Sequence, residues 1–410
     1  MKILAFNCGS STLKFKYFEM DRHAPLGLER VLAQGSIDRI GGPGTVKFLA
    51  EGGASSERSD TVHDHRDATG RAIDWLCTLP FVKRGGIEAI GHRIVHGGHL
   101  FSGPVSINAE VIDAIAGLRY LAPLHNEPAL ASIRAARDLL GTSVPSIAVF
   151  DTAFHAGMPP RASLYAIPEA LSTRHHIKRY GFHGLAHRYM VDRYVAITGA
   201  SLEDTDIITL QLGNGCSATA IKGGCSIDTS MGFTPLEGLM MGTRSGSIDP
   251  HIPAFVARME GVGIDKVEDW LNSASGLLGV SGLSQDMREL LRVEKEGQEG
   301  AALAVEMFCY RVRKEIGACL AVLDGADAVV FGGGIGENSP EVRRRICAGM
   351  EWCGLVLDQE KNHSTTGGEG RVSADGSPIR VYVIPVDEER LIARDTAAYV
   401  KLSPSVTGSI

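Results

Sequence analysis

The sequence predicts an α/β protein of two domains, and three observations support this prediction. The chain has 410 residues, more than a single hydrophobic core usually organises. Apolar runs typical of strands alternate with amphipathic segments typical of helices in its second half. A strand, a glycine-containing turn and a returning strand occur at residues 2–18 and again at residues 207–222. We interpret this recurrence as a sign of a duplicated fold.

The first strand–turn–strand unit has strands at residues 2–6 and 13–18, joined by a turn at 9–12. Residues 35–70 are polar and rich in glycine, which predicts long hairpin loops. Residues 144–150 form a continuous apolar run that ends in Asp151, a pattern typical of a buried strand with an acid at its carboxyl end. We expect a domain boundary near this strand.

The second strand–turn–strand unit has strands at residues 207–212 and 218–222, joined by the turn GNGCS. After it, Ser339 and Pro340 suit the N-cap and first position of a helix, because Ser accepts a backbone hydrogen bond and Pro lacks an N–H. The remaining predicted elements are a helix at 301–323, a strand at 328–331, a helix at 341–352, an exposed loop at 363–377, a strand at 379–385 and a final helix at 388–400.

Composition and charge exclude several classes of protein. The net charge of −7 argues against a nucleic acid or an anionic membrane surface as the main partner. No run of 18 apolar residues is present, and the N-terminus is too short in apolar residues for a signal-peptide core. The eight cysteines contain no CxxC pair, so we interpret them as reduced residues in or near the core. A cytoplasmic protein is expected.

Three glycine-rich segments are candidates for binding a nucleotide. In GSSTLK (9–14), glycine and hydroxyl residues between two strands can direct N–H groups at a phosphate, and Lys14 adds a positive charge. Gly213 and Gly215 form a second such turn, and GGGIG (332–336) can lie flat beneath an adenosine. An ordinary hairpin turn remains the alternative for each segment alone. Neither a P-loop nor a strand-linked GxGxxG is present.

Four further motifs place an arginine or histidine among glycines or prolines, where a side chain can point into a cleft: GHRIVHGG (91–98), PLHNEP (123–128), YGFHG (180–184) and MMGTRSGSIDP (240–250). Structural ion pairs for Arg93 and Arg244, and satisfied core histidines, are the alternatives. A zinc site at His92, His96 and His99 is disfavoured, because Gly97 and Gly98 break the helix that this spacing would need.

Two carboxylates occupy positions from which Mg²⁺ is often held beside substrate phosphates. Asp151 ends the predicted buried strand, and Glu388 begins the last helix. Glu388 also has a simpler interpretation, since an acidic residue at a helix N-terminus is stabilised by the helix dipole. The two carboxylates therefore indicate a metal site only in combination with the other motifs.

Taken in order, these motifs resemble those of the acetate and butyrate kinase family, within the superfamily of sugar kinases, Hsp70 and actin. The resemblance runs from residue 2 to about residue 400 and rests on NxGSSTLKF (7–15), GHRIVHGG, PLHN, FDTAFH (150–155), YGFHG, LGNGCS, GTRSG, FGGGIGEN (331–338) and the EER of the C-terminus. Several separate motifs in one order make the match specific.

The resemblance implies a duplicated ribonuclease H-like (actin-like ATPase) fold with a cleft between two domains, and a homodimer. Residues 1–150 would form the N-terminal domain, joined by a returning C-terminal helix at 390–410, and residues 151–389 the nucleotide-binding domain. It implies reversible transfer of the γ-phosphoryl group of ATP to acetate, giving acetyl phosphate and ADP, with Mg²⁺ or Mn²⁺. Propionate or another short-chain acid is the alternative acceptor.

The same resemblance assigns roles by position. The catalytic group would be Asp151, Arg93, Arg244, His183, His125 and Asn214, and the metal would be held at Asn7 and Glu388. The nucleotide would contact Ser10, Thr12, Lys14, Gly213, Gly215, Asp286, Arg288, Gly332, Gly333, Gly334, Ile335, Gly336 and Asn338. The acyl methyl group would enter an apolar pocket of Val95, Leu124, Phe182 and Pro235, with Arg93 at its edge.

The sequence departs from the family pattern at Thr12, Glu127, Ser247 and Asp387. Ser247 and Glu127 leave the expected catalytic residues unchanged but bear on substrate preference and rate. A different class of function is an ATP-driven switch or filament protein of the same fold. The arginines and histidines argue against it, because an ATPase needs no site for a carboxylate. Arginine and histidine donors favour direct in-line transfer without a phosphoenzyme.

Overall fold

A computed structural model describes residues 1–21, 29–119, 121 and 123–402, and only the backbone of residues 83–85 and 123–125. The chain forms two compact units: unit 1 comprises Met1–Ala156 and Asp387–Ile410, and unit 2 comprises Gly157–Val386. Residues 403–410, the end of the helix expected at 390–410, lie outside the described residues.

The sheet of unit 1 contains eight strands within the described residues, in the order β5-β4-β3-β2-β1-β6-β8-β7. The strands are β1 (Lys2–Cys8), β2 (Thr12–Glu19), β3 (Arg30–Asp38), β4 (Gly42–Ala50), β5 (Ser55–Val62), β6 (Ala89–Ile94), β7 (Val105–Ser106) and β8 (Ser146–Phe150). Strands β1 to β5 pair antiparallel, whereas β1, β6 and β8 pair parallel. The predicted first hairpin and the predicted buried strand before Asp151 are confirmed.

The prediction of long hairpin loops at residues 35–70 is wrong. Strands β3, β4 and β5 occupy most of this segment. Their glycines lie in short turns and within β4, and β5 is the edge strand, exposed at most of its positions. An exposed edge strand needs no apolar alternation, so the strand signal was absent from the sequence.

Four helices and a 3₁₀ helix complete the first part of unit 1: α1 (His65–Thr78), α2 (Pro80–Gly85), α3 (Ala109–Gly117), α4 (Pro123–Leu140) and the 3₁₀ helix Asp151–His155. Helix α4 packs on α1, β1 and β6. The side chain of Asp64 accepts a hydrogen bond from the N–H of Asp67 and caps α1. A core of buried aliphatic and aromatic side chains, including Phe6, Phe15 and Phe150, lies beneath these helices.

The elements of unit 2 are, in chain order, α5 (Pro160–Ser163), α6 (Glu169–His175), α7 (Gly184–Thr198), β9 (Asp206–Leu212), β10 (Cys216–Lys222), β11 (Cys225–Thr229), α8 (His251–Glu260), α9 (Ile264–Ser273), α10 (Gly276–Ser281), α11 (Met287–Glu294), α12 (Glu299–Leu323), β12 (Ala328–Gly332), α13 (Gly333–Asn338), α14 (Pro340–Cys347), α15 (Gln359–Ser364), β13 (Gly370–Arg371) and β14 (Arg380–Val383). The predicted long helix and the Ser339 N-cap are confirmed. Helix α14 ends five residues before the predicted 352, and a 3₁₀ helix, Glu351–Cys353, follows.

The two sheets share one arrangement. In unit 2 the order is β11-β10-β9-β12-β14-β13, with β9, β10 and β11 antiparallel and β9, β12 and β14 parallel. The order β3-β2-β1-β6-β8 of unit 1 repeats this pattern, with an antiparallel hairpin beside two parallel strands. The predictions of an α/β protein and of a duplicated fold are confirmed.

The last helix, α16 (Glu388–Leu402), belongs to unit 1, where it packs on β1, β2, β6 and β8. Its buried side chains include Leu391, Ile392 and Val400. Within the described residues no helix is long and apolar enough to cross a membrane. All eight cysteines are free thiols, but Cys77 and Cys225 are exposed, which corrects the prediction that every cysteine lies in or near the core.

Candidate functional site

In unit 1, Arg93 and Asp151 form a buried ion pair at the carboxyl ends of parallel strands. Asp151 is fully buried, and its carboxylate accepts hydrogen bonds from Arg93 Nε at 3.1 Å and from Arg93 Nη2 at 2.6 Å. Arg93 Nη1 donates to Asn7 Oδ1 at 2.9 Å and lies 3.7 Å from Glu388 Oε2. Strand β1, strand β6, the 3₁₀ helix after β8 and helix α16 thus each supply one residue.

The acidic and cationic groups of this cluster shift one another's pKa values. Burial alone would lower the pKa of Arg93, but the carboxylates of Asp151 and Glu388 outweigh it and raise the pKa well above its ordinary value. Burial raises the pKa of Glu389, which Lys16 partly opposes and the neighbouring carboxylates of Asp387 and Glu388 reinforce. In this cluster, carboxyl groups outnumber cationic side chains.

The two carboxylates beside Asn7 could supply oxygen ligands to a divalent cation. Asn7 Nδ2 donates to Glu388 Oε2 and to Glu389 Oε1, both at 2.7 Å, so two carboxylates converge on one amide group. Oxygen ligands of this kind suit hard cations such as Mg²⁺. Within the described residues, no three His, Cys, Asp or Glu side chains could hold a metal ion by themselves. A cation bound at Asn7 and Glu388 would need substrate or water oxygens as well.

The first glycine-rich turn lies between β1 and β2. Gly9 N–H donates to the carbonyl of Thr12 at 2.9 Å, and a ring nitrogen of buried His65 contacts the carbonyl of Gly9 at 2.8 Å. Ser10 and Lys14 are exposed, as residues that bind a phosphate must be before binding. On strand β2, Lys16 pairs with Asp387 at 2.7 Å.

In unit 2, His183 and Arg244 converge on the turn between β9 and β10. A Cβ atom placed on Gly215 would lie 3.3 Å from His183 Nε2 and 3.5 Å from Arg244 Nη1. Glycine at this position therefore leaves the space that both side chains face. His183 Nδ1 forms a hydrogen bond of 2.9 Å with Ser217 Oγ, and Asn214, on the turn itself, is exposed.

Arg244 carries a positive charge that no carboxylate of the described residues balances. It is half buried, and among the described residues no acid lies within ion-pair distance of it. Its Nη1 donates to the carbonyl of Pro235 at 3.2 Å and lies 3.8 Å from the sulfur of Met241. Burial lowers the pKa of Arg244, and Cys216 opposes that effect only in part. An anion beside Arg244 would relieve this cost.

Unit 2 also contains a cavity of about 890 Å³, large enough for a nucleotide. Its lining combines residues from three of the expected nucleotide segments: Gly213, Asn214, Asp286, Arg288, Gly334, Ile335 and Asn338, together with Gln285, Met287, Leu291, Ser339, Pro340 and Glu341. Asp286 caps α11 and pairs with exposed Arg288 at 2.6 Å. Gly215, Gly332, Gly333 and Gly336 lie in the same segments but do not line this cavity.

Most of the GGGIG segment, which we predicted could lie flat beneath an adenosine, is helical, and its first glycine, Gly332, ends β12. Helix α13 begins at Gly333, whose φ of +76° is in the left-handed region. A Cβ there would meet the backbone of Leu212 at 2.7 Å, so only glycine allows α13 to start against β9. The three consecutive glycines concealed the helix, because glycine is a poor helix former in isolation.

Arg343 supports α13 and was missed by the sequence analysis. It is fully buried, and its guanidinium donates to the carbonyls of Gly336 and Glu337 in α13, at 2.8 and 3.1 Å. It also donates to Asn362 Oδ1 and to the carbonyls of Asn362 and Thr365. Burial lowers the pKa of Arg343 to about 10. A sequence gives no sign of such a role, because the acceptors are backbone carbonyls from distant segments.

The residues expected at the acyl pocket fall in both units. Val95 is 5% exposed in unit 1, and Phe182 is 1% exposed in unit 2, where Pro235 is half buried. The side chains of Leu124 and His125 lie outside the described part of the chain. The backbone at His125 is helical, so PLHNEP lies within α4. Ser247 Oγ accepts from Gly238 N–H at 3.1 Å and closes its own loop.

The three histidines of the alternative zinc site have separate environments. His92 is buried in the core, where its ring stacks on Phe6 with centroids 5.6 Å apart. His96 Nδ1 accepts a hydrogen bond from Gly98 N–H at 2.9 Å, whereas His99 is exposed. Within the described residues neither ring nitrogen of His92 has a hydrogen-bond partner. His92 is therefore a neutral core residue.

We expect a His92→Leu variant to lose less stability in acid than the wild type. Burial lowers the pKa of His92 to about 3 from its ordinary value of 6.5, so the unfolded chain binds a proton below pH 6.5 that the folded chain does not. Stability present above pH 6.5 is thus lost as the pH falls. Between pH 7 and pH 5 this difference is about 2 kcal/mol. Urea unfolding at both pH values measures it, and equal losses in the two proteins would contradict it.

Comparisons with known proteins agree with this arrangement. The model of the acetokinase family matches residues 2–394. An acetate kinase of Chloroherpeton thalassium is 48% identical over 412 residues, covering 97% of this chain and 98% of that protein. An acetate kinase of Solibacter usitatus is 46% identical, covering 98% and 99%.

Solved structures show the same fold. The Porphyromonas gingivalis acetate kinase superposes with a TM-score of 0.85 at 39% identity, covering 97% of this chain and 99% of that one. A propionate kinase from Francisella tularensis superposes with a TM-score of 0.87 at 38% identity and the same coverage. The family resemblance inferred from the motifs is therefore confirmed, and the chain belongs to the acetokinase family.

Proposed function

We propose that this protein transfers the γ-phosphoryl group of ATP to acetate, reversibly, to give acetyl phosphate and ADP. The observation that carries the proposal is the environment of Arg244, a half-buried guanidinium with no carboxylate partner among the described residues, beside His183 Nε2 and a glycine turn. A fork of N–H donors matches the equatorial oxygens of a transferring phosphoryl group. The names of the curated relatives support acetate as the acceptor.

Acetate needs no general base in this reaction. A carboxylic acid with a pKa of about 4 to 5 is already ionised at pH 7. The task is to bring two anions together: at an effective dielectric of about 20, each unit charge pair at about 3.5 Å costs about 4 to 5 kcal/mol. Cationic side chains offset this repulsion, which is the role we propose for Lys14, Arg93 and Arg244.

The remaining roles follow the same logic. In unit 2, His183 and Asn214 would bind the transferring phosphoryl group, and the cavity beside α11 and α13 would bind the nucleotide. In unit 1, Asn7 and Glu388 would hold a divalent cation, Mg²⁺ or Mn²⁺, and Asp151 would hold Arg93 in place. The cation, when bound, would neutralise phosphate charge. The arginine and histidine donors suit the charge on the equatorial oxygens of a loose, in-line transition state, so we propose direct transfer.

A test of the acceptor separates a kinase from an ATP-driven switch. Purified protein is incubated with ATP, a divalent cation and acetate, and acetyl phosphate is trapped with hydroxylamine as the hydroxamate. A kinase forms the hydroxamate only when acetate is present. Equal release of ADP with and without acetate, and no hydroxamate, would contradict the proposal.

Acceptor size gives a second expected result. One additional methylene in an apolar pocket changes transition-state binding by about 1 to 3 kcal/mol, so propionate should react with a kcat/KM about 10-fold to 200-fold lower than acetate, and butyrate lower still. A Val95→Ala variant enlarges the proposed pocket and should lower the ratio of kcat/KM for acetate to kcat/KM for propionate. Val46→Ala, at a buried position of β4, is the matched control and should leave the ratio unchanged. A wild-type preference for butyrate would contradict the acetate assignment.

Three further features belong to this proposal through the family resemblance. They are a homodimer, a cytoplasmic location and the assignment of the nucleotide to residues 151–389. Analytical ultracentrifugation tests the first of them directly. The assignment of the nucleotide to residues 151–389 is tested by replacing Gly334 with a bulky residue and measuring ATP binding, because this glycine lines the cavity.

A further inference from the structure

We propose that Ser217 and His187 are positioning residues that orient His183 and keep its proton on Nε2, the nitrogen that faces the proposed phosphoryl site. The inference rests on the proposed function for its kinetic consequence, but not for the position of the proton. Its basis is a line of four side chains that begins inside the core of unit 2 and ends at His183.

Four side chains form a continuous line of hydrogen bonds. Thr209 Oγ1 lies 2.8 Å from His187 Nδ1, and His187 Nε2 lies 2.7 Å from Ser217 Oγ. Ser217 Oγ in turn lies 2.9 Å from His183 Nδ1. Thr209, His187 and Ser217 are completely buried, so water cannot replace any of these contacts.

The direction of the line follows from Thr209. Within the described residues, the hydroxyl of Thr209 forms a hydrogen bond only with His187 Nδ1. A buried O–H group without an acceptor is costly, whereas an unused hydroxyl lone pair is not, so Thr209 donates. Neutral His187 must then carry its proton on Nε2.

The same assignment of donors and acceptors applies to the next two side chains, Ser217 and His183. Protonated Nε2 of His187 donates to Ser217 Oγ, and the hydroxyl proton of Ser217 is then directed at His183 Nδ1. A neutral His183 that accepts at Nδ1 carries its own proton on Nε2. That nitrogen lies 3.3 Å from the Cβ position of Gly215, beside Arg244 Nη1.

This orientation suits binding of a phosphoryl group. An Nε2–H group donates to a phosphoryl oxygen, whereas the reverse line would present a lone pair to an anion. Positioning is needed here because His183 has a φ of +55°, and no side-chain hydrogen bond caps helix α7 at this residue. His187 lies one turn later, and its N–H donates to the carbonyl of His183 at 2.9 Å.

The first experiment measures the tautomers directly, whether or not the protein is a kinase. Long-range ¹H–¹⁵N correlation spectra of the full-length, ¹⁵N-labelled protein at pH 8 distinguish protonated from unprotonated ring nitrogens. Signals are assigned with His183→Gln and His187→Gln variants. Nε2–H in both rings is the expected result. Nδ1–H in His183 would overturn the proposal.

The second experiment measures positioning by kinetics of hydroxamate formation. Ser217→Ala should lower kcat about 10-fold to 100-fold, with the KM for ATP within twofold of wild type, because a misdirected donor weakens only the transition state. In a His183→Ala background the same change should have no further effect. Thr219→Ala, on the same strand and equally buried, is the control and should stay within threefold of wild type.

These outcomes distinguish failure of the positioning proposal from failure of the proposed function. An equal loss from Ser217→Ala with and without His183 would show a general structural role and overturn the positioning proposal. If wild-type protein formed no acyl phosphate with acetate, propionate or butyrate, the proposed function would fail, while the tautomers measured by NMR would still decide how the line is protonated.

Discussion

Replacing Arg244 with alanine is expected to lower kcat by about 10³-fold or more, the typical contribution of an arginine that stabilises a phosphoryl-transfer transition state. The expectation follows from the position of the guanidinium. Arg244 Nη1 and His183 Nε2 approach the same space beside Gly215, and Arg244 has no carboxylate partner among the described residues. Its charge is therefore available to a substrate anion.

The stability of the protein should change little in this variant. Among the described residues, the guanidinium donates to the carbonyl of Pro235 and contacts the sulfur of Met241. Burial lowers its pKa, so its removal also removes a cost of burial. Steady-state hydroxamate formation and circular dichroism measure the two properties. Binding of ATP to the variant should persist, because Arg244 does not line the nucleotide cavity.

Two matched variants sharpen the interpretation. Arg244→Lys keeps the charge but loses the planar fork, and it should give an intermediate kcat. Arg292→Ala removes an exposed arginine of unit 2 that pairs with Glu296, and it should stay within twofold of wild type. An Arg244→Ala enzyme within tenfold of wild type would show that another group stabilises the phosphoryl oxygens.

The strands that position the site could be predicted because their signals are local. The apolar run before Asp151 and the two hairpins around glycine turns can each be recognised within one short stretch of consecutive residues. Strand β5 was missed for the opposite reason, since it lies at the sheet edge with little apolar patterning. Tertiary position, rather than propensity, makes it a strand.

The candidate site likewise contains some residues that the sequence could predict and others that it could not. The glycine turns could be predicted because glycine and hydroxyl residues between two strands are a local pattern. The arginines could be predicted because an arginine flanked by glycines contributes little to stability. By contrast, the support of Arg343 for α13 and the line from Thr209 to His183 join residues far apart in sequence. The spacing of His183 and His187 by one helical turn was the one local signal of this line, and no motif marked the direction of its protons.

Replacing Asp151 with alanine is expected to destabilise unit 1 by about 3 to 5 kcal/mol, the usual result of removing one partner from a buried ion pair. Asp151 is fully buried and accepts three hydrogen bonds from Arg93. Without it, the nearest partners of Arg93 among the described residues are Asn7 Oδ1 at 2.9 Å and the more distant carboxylate of Glu388 at 3.7 Å. The remaining guanidinium would be buried with too little compensating charge.

Urea unfolding measured for wild type, Asp151→Ala and Asp151→Asn tests this expectation. The asparagine variant keeps the shape and two polar atoms but loses the charge, so its loss of stability should be smaller than that of alanine. Asp375→Ala provides the matched control: it removes the partner of Lys361 in an exposed pair, with Asp375 86% exposed, and should cost less than about 1 kcal/mol. If Asp151→Ala cost no more than Asp375→Ala, the Arg93–Asp151 pair would contribute little to unit 1, and the position of Arg93 would have to depend on Asn7 and Glu388 instead.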